Sequence, residues 1–181
     1  VTTYSRFYHS ETMLEWSFRE YANAQTFPAS HKFVGTYQTI KKQIGNAVAP
    51  QMGKHITQRL KGKTIGDLFA GCGGFTSGAH QNGLVTKWAV EWEELPAMAY
   101  KLNFPEAKVY QTNISALDPR ELEPVDIILG GPPCQGFSVA GCRFKDDPRN
   151  ELYKEFLRFV DVIGPAEFIM ENVPQIQEIK E

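Results

Sequence analysis

A chain of 181 residues, 42% hydrophobic and 22% charged, suits one globular domain, and no apolar run approaches the ~20 residues of a membrane span. A net charge of -2 excludes a uniformly basic nucleic-acid binder, although a local basic face can do that work. Three cysteines, an odd number without metal-type pairing, argue against a disulfide framework or a zinc site and point to thiols in a reducing cytoplasm.

Residues 1–45 are aromatic-rich and irregular, with one short helix expected over Ser17–Ala24 and stopped before Phe27-Pro28. A second unit is expected over residues 46–181. Val48, Met52, Ile56 and Leu60 recur every four residues, the apolar stripe of a helix, with Pro50 in its first turn and Gly62 at its end. From Lys63 strands and helices alternate. Thr64–Phe69 reads as a strand, Gly71-Cys72-Gly73-Gly74 as a tight turn, and Phe75–Gln81 as a helix. Lys87–Trp92 reads as a second strand, followed by a helix over Pro96–Asn103 and a third strand over Lys108–Tyr110. Val125–Leu129 is a fourth strand, Leu152, Phe156, Val160 and Ile163 mark a helix, and Glu167–Met170 is a fifth strand. Such alternation predicts an α/β fold with a parallel sheet, whose ligands bind beyond the carboxyl ends of the strands.

Three features would fall on that rim. Gly130-Gly131-Pro132-Pro133-Cys134-Gln135-Gly136-Phe137-Ser138 follows the fourth strand. Prolines stiffen the backbone there, and a cysteine that merely fills a core needs no such control. The glycine turn follows the first strand and lets a ligand approach the backbone, with Glu91 at the end of the second strand able to bind ribose hydroxyls. Position 76 is Thr where a dinucleotide fingerprint has its third glycine, which disfavours NAD and favours another adenosine-type cofactor. Phe69 and Trp92 can stack on an adenine or belong to the core. Glu171, in Glu171-Asn172-Val173-Pro174, follows the fifth strand, one strand from Cys134.

Together these blocks resemble those of the DNA (cytosine-5)-methyltransferases: Asp67-Leu68-Phe69-Ala70-Gly71-Cys72-Gly73-Gly74-Phe75, Gly131 to Ser138, Asp146 to Leu152, and Glu171-Asn172-Val173, in the family's order. The resemblance implies a Rossmann-like methyltransferase sheet, of which the first five strands are present, and S-adenosyl-L-methionine as cofactor. It implies Phe69, Ala70, Gly71, Gly73, Gly74, Glu91, Trp92, Asn113, Ile114, Pro132, Leu152, Asn46 and Val48 as cofactor-binding residues. Asn113 stands where the family usually has Asp, and its carbonyl oxygen can still accept from the adenine amino group. Cys134 would add as thiolate to C6 of a flipped cytosine, and Glu171 would hydrogen-bond or protonate N3. Gln135, Ser138, Arg143 and Lys145 would contact double-stranded DNA.

Arg19-Glu20, Gln25-Thr26-Phe27-Pro28 and Gln43 to Pro50 resemble the family's final two blocks, yet here they precede the glycine turn. The chain therefore resembles a circularly permuted form joined through Lys61-Gly62-Lys63. The Gln-x-Arg-x-Arg block and the target-recognition region would come from a second polypeptide. An RNA cytosine-5 methyltransferase, a non-catalytic regulatory subunit and an NAD(P) oxidoreductase stay open as alternatives. No membrane partner is expected, and the location expected is a prokaryotic cytoplasm.

Overall fold

The structure is a computed structural model that describes residues 6–133 and 152–172. Five parallel strands form its centre: β1 (Thr64–Leu68), β2 (Val85–Glu91), β3 (Lys108–Gln111), β4 (Ile127–Gly130) and β5 (Glu167–Met170), in the order β3-β2-β1-β4-β5. The expected strands are all present, with no end moved by more than two residues. Strand order reverses between β1 and β4, so the crevice of this sheet opens above their carboxyl ends. β1 and β4 are buried almost throughout, as central strands covered on both faces must be.

Helices α1 (Phe18–Ala24), α2 (Tyr37–Asn46), α3 (Pro50–Thr57), α4 (Gly74–His80), α5 (Glu94–Asn103) and α6 (Leu152–Ile163) complete the fold. Among the described residues none is long and apolar enough to cross a membrane. Ser17 caps α1 through a capping box with Glu20, and Pro50 opens α3 where its missing N–H costs nothing. α2 departs from the irregular N-terminal region expected from the sequence, and the boundary expected near residue 45 falls inside it.

The N-terminal helices share the sheet's core. Tyr21, Ala22, Phe27, Ile40 and Ile44 form one cluster with Cys72 of the glycine turn and Ala99 of α5. α3 lies so close to α4 that a methyl on Gly78 would come within 2.2 Å of the Pro50 carbonyl oxygen. At the opposite end of the sheet the connection from α3 to β1 is clamped by two carboxylates. Asp126 accepts from the Lys63 and Thr64 amides at 2.8 and 2.9 Å, and Glu167 from Lys61 and Gly62 at 2.9 and 3.2 Å.

Candidate functional site

A cleft of about 880 Å³ opens above the carboxyl ends of β1, β2 and β4, within the range of small-molecule sites. Its construction begins with the turn after β1. Phe69 takes a left-handed backbone (φ 56°), uncommon for a residue with a side chain, and its ring borders the cleft. Gly71 and Gly73 also have positive φ. At Gly71 a methyl group would meet nothing within 4 Å, whereas at Gly73 it would strike Phe104 at 2.3 Å and at Gly74 the Val48 carbonyl oxygen at 2.3 Å. Gly71 thus faces open space, and the other two let α4 pack tightly.

Glu91 at the end of β2 folds its carboxylate back onto this turn. Oε2 accepts from the Gly71 amide and Oε1 from the Glu93 amide, each at 2.7 Å. Burial raises its pKa while those two amides pull it back down. The carboxylate keeps acceptor capacity for a ligand hydroxyl. Next to it Trp92 is 66% exposed, an apolar ring with one face uncovered. Across the cleft Asn113 caps a single 3-10 turn by accepting from the Ser115 amide at 3.1 Å, and Ile114 and Leu152 lie beside it.

The second half of the rim is tied together by backbone. The Glu171 amide donates to the Gly130 carbonyl oxygen at 2.9 Å, and Asn172 Nδ2 to that of Pro132 at 3.1 Å. The segment leading to Cys134 is therefore held against the end of β5. Glu171 leans over Gly131, where an added methyl would sit 3.1 Å from its Oε2. Glu171 stays accessible as a residue, but partial desolvation of its carboxyl raises the pKa.

Phe69, Gly71, Glu91, Trp92, Asn113, Ile114, Pro132, Leu152 and Asn46, all singled out in the sequence, line this cleft together with Glu171. Ala70, Gly73, Gly74 and Val48 do not: Ala70 donates its amide to the Val90 carbonyl oxygen, and Val48 packs against the core cluster that includes Ile65 and Phe75. Cys134, Gln135, Ser138, Arg143 and Lys145 lie outside the described residues. The cleft also includes Lys42, Gln43, Cys72 and Thr112, which the sequence did not single out. Gln43 is buried, donates from Nε2 to the Val34 carbonyl oxygen at 2.8 Å, and leaves Oε1 as a buried acceptor with no partner among the described residues. It precedes Asn46 by three residues, the spacing of one helical face, and that spacing was a readable signal. Burial pushes the Cys72 thiol up to about 12, so it is no nucleophile.

A family model described as C-5 cytosine-specific DNA methylase matches the chain in two segments, residues 2–62 and 63–181. The type II methyltransferase M.DdeI of Desulfomicrobium norvegicum is 45% identical over 118 residues, covering 63% of this chain and 28% of that protein. The type II methyltransferase M.AquIA of a Picosynechococcus strain is 40% identical over 120 residues, covering 61% of this chain and 48% of that protein. Among solved structures, an Escherichia coli prophage protein described as a DNA modification methyltransferase aligns with a TM-score of 0.54 at 39% identity, over 63% of this chain and 33% of its own. A DNMT2 variant from Spodoptera frugiperda aligns with a TM-score of 0.52 at 31% identity, over 65% and 38%. The chain thus spans between about a quarter and a half of the length of these relatives.

Proposed function

The chain belongs to the C-5 cytosine-specific DNA methylase family, and from that premise we propose that it is the catalytic part of a DNA (cytosine-5)-methyltransferase of a type II restriction-modification system. Enzymes of this family take their methyl group from S-adenosylmethionine. The observation that carries the reading is the single cleft in which Phe69, Glu91, Trp92, Asn113 and Asn46 meet the approach to Cys134 and the carboxyl of Glu171. Its residues fit the cofactor's parts. Phe69 and Trp92 offer aromatic faces to adenine, and Glu91 offers acceptors to the ribose hydroxyls. Asn113 and Ile114 border the adenine edge, and Asn46 with the open turn at Gly71 serves the methionine end.

Cytosine C5 is too weak a nucleophile to take a methyl group unaided. Addition of the Cys134 thiolate to C6 pushes the ring's electrons toward C5 and N3. Glu171 stabilises that charge by donating to N3, and its raised pKa suits a carboxyl that must hold a proton. C5 then accepts the methyl group, a base removes the C5 proton, and the returning electrons expel the thiolate. The base must leave the duplex to reach these groups.

We further read the chain as permuted and dependent on a partner. Two facts support the permutation: the family match breaks between Gly62 and Lys63, and α3 packs directly on α4 across that junction. The partner would supply the Gln-x-Arg-x-Arg block and target recognition. Adduct trapping tests the whole reading. DNA carrying 5-fluorocytosine has no C5 proton to lose, so with S-adenosylmethionine and the partner it should accumulate a covalent complex with this chain. Cys134→Ala should give none, and Glu171→Gln should slow methyl transfer about 100-fold or more. Methylation by Cys134→Ala would refute the mechanism, full activity without a partner would refute the split form, and preference for tRNA over duplex DNA would redirect the substrate.

A further inference from the structure

Lys42 lies on α2, one helical turn before the cleft residue Asn46, and lines the cleft itself. Its ammonium spans to the turn between β2 and α5, where Nζ reaches both carboxylate oxygens of Glu93 at 2.8 and 3.2 Å. The same Glu93 gives its amide to Glu91 Oε1, while Gly71 gives its amide to Glu91 Oε2. A continuous chain of contacts therefore runs from α2 through Lys42, Glu93 and Glu91 to the glycine turn. Lys42 and Glu93 also line a second groove of about 440 Å³, shared with Gln43, Trp92 and Pro96. The pair thus stands as the partition between the groove and the cleft, with Trp92 beside it. Packing joins the two walls elsewhere through Cys72 and Ala99, whereas this link ends on the carboxylate of Glu91.

We propose that Lys42 is a positioning residue for the cofactor site: by holding Glu93 it sets the spacing between the Asn46 wall and the Glu91 carboxylate. The inference rests on the cofactor reading given above. It concerns this chain's own ion pair, which meets Glu91 through the Glu93 backbone amide. Both side chains are about half exposed, so the effect is modest and sensitive to salt.

The test is the dissociation constant of S-adenosylhomocysteine for the whole chain, by calorimetry, with thermal unfolding recorded alongside. Lys42→Met should weaken binding about two- to fivefold, and Lys42→Glu should weaken it further, because two carboxylates then face each other. Adding Glu93→Lys to Lys42→Glu should restore affinity to within about twofold of the parent, the size of an exposed pair. Molar salt should weaken the parent toward the Lys42→Met value and leave that variant unchanged. Unaltered affinity in Lys42→Glu, or no recovery in the double variant, overturns the proposal. A parent chain that binds no S-adenosylhomocysteine even with the partner present overturns the cofactor reading as well, so the two failures are distinct.

Discussion

Asp67, on β1 below the glycine turn, is 1% exposed, with Oδ2 accepting from Thr76 Oγ1 at 2.6 Å. Burial raises its pKa to about 7, against hydrogen bonds from Thr76 and Tyr100 that lower it. From the ordinary 3.8 up to about 7 the folded chain keeps this proton and the unfolded chain does not. That contribution to stability is full below pH 3.8 and lost as pH rises to about 7. His31 behaves oppositely: burial lowers its pKa from 6.5 to about 4, so its contribution is full above pH 6.5 and lost as pH falls to about 4. The slopes oppose each other, and Asp67→Asn removes the first. The variant's unfolding free energy relative to the parent should climb with pH between about 4 and 7, at up to about 1.4 kcal/mol per pH unit. A pH-independent difference in urea titrations would contradict this. Trp92 offers a second residue-scale test. Its ring is mostly exposed, so Trp92→Ala should leave the melting temperature unchanged while weakening S-adenosylhomocysteine binding by about 1–3 kcal/mol, the worth of an aromatic–base stack. Phe69, Glu91 and Trp92 were legible because strand ends form the rim of any such sheet. Gln43 could have been found from its helical spacing to Asn46, whereas Lys42 could not, since it reaches Glu93 from a helix whose place in the fold no local pattern encodes.

At the scale of elements, strands were easier to read than the N-terminal helices. β5 stands where its apolar run and flanking residues place it, and β1 loses only Phe69, which turns into the left-handed region instead of continuing the strand. α2 escaped because Thr39, Ile40, Ile44 and Gly45 are weak helix formers, and because buried Lys41 and Gln43 interrupt its apolar stripe. A tertiary pair of Lys41 with Glu15 and a local cap by Thr36 rescue it. The α3–α4 packing depends on missing side chains. At Gly78 a methyl would meet backbone atoms of Pro50 and Lys54 at 2.2 and 2.4 Å, and neither can swing aside. Gly78→Ala should therefore destabilise the chain by about 1–3 kcal/mol or more by forcing the helices apart. An unchanged chemical denaturation midpoint would show that the helices adjust freely.

In the whole molecule, Lys42, Gln43, Asn46 and Ala47 build one wall of the cleft and described residues after Lys63 the others, so the two segments share one core and are not neighbours on a linker. The clamp beneath the sheet is made of contacts distant in sequence. Thr64 meets Asp126 at a separation of 62 residues and Lys61 meets Glu167 at 106, whereas β1 and β2 close a much shorter loop. Loop-closure entropy then sets a sequence of events in which the α3–α4 pair and the β1–β2 ladder organise early and the clamp closes last. Pulse-labelled hydrogen exchange during refolding should find the β1–β2 amides protected before those of Lys61, Gly62 and Lys63, and simultaneous protection would contradict that order. Until β4 and β5 arrive, the Lys61–Thr64 connection is a tether with free amides, open to proteases. The nascent chain's window of vulnerability is thus set by how quickly β4 and β5 are made.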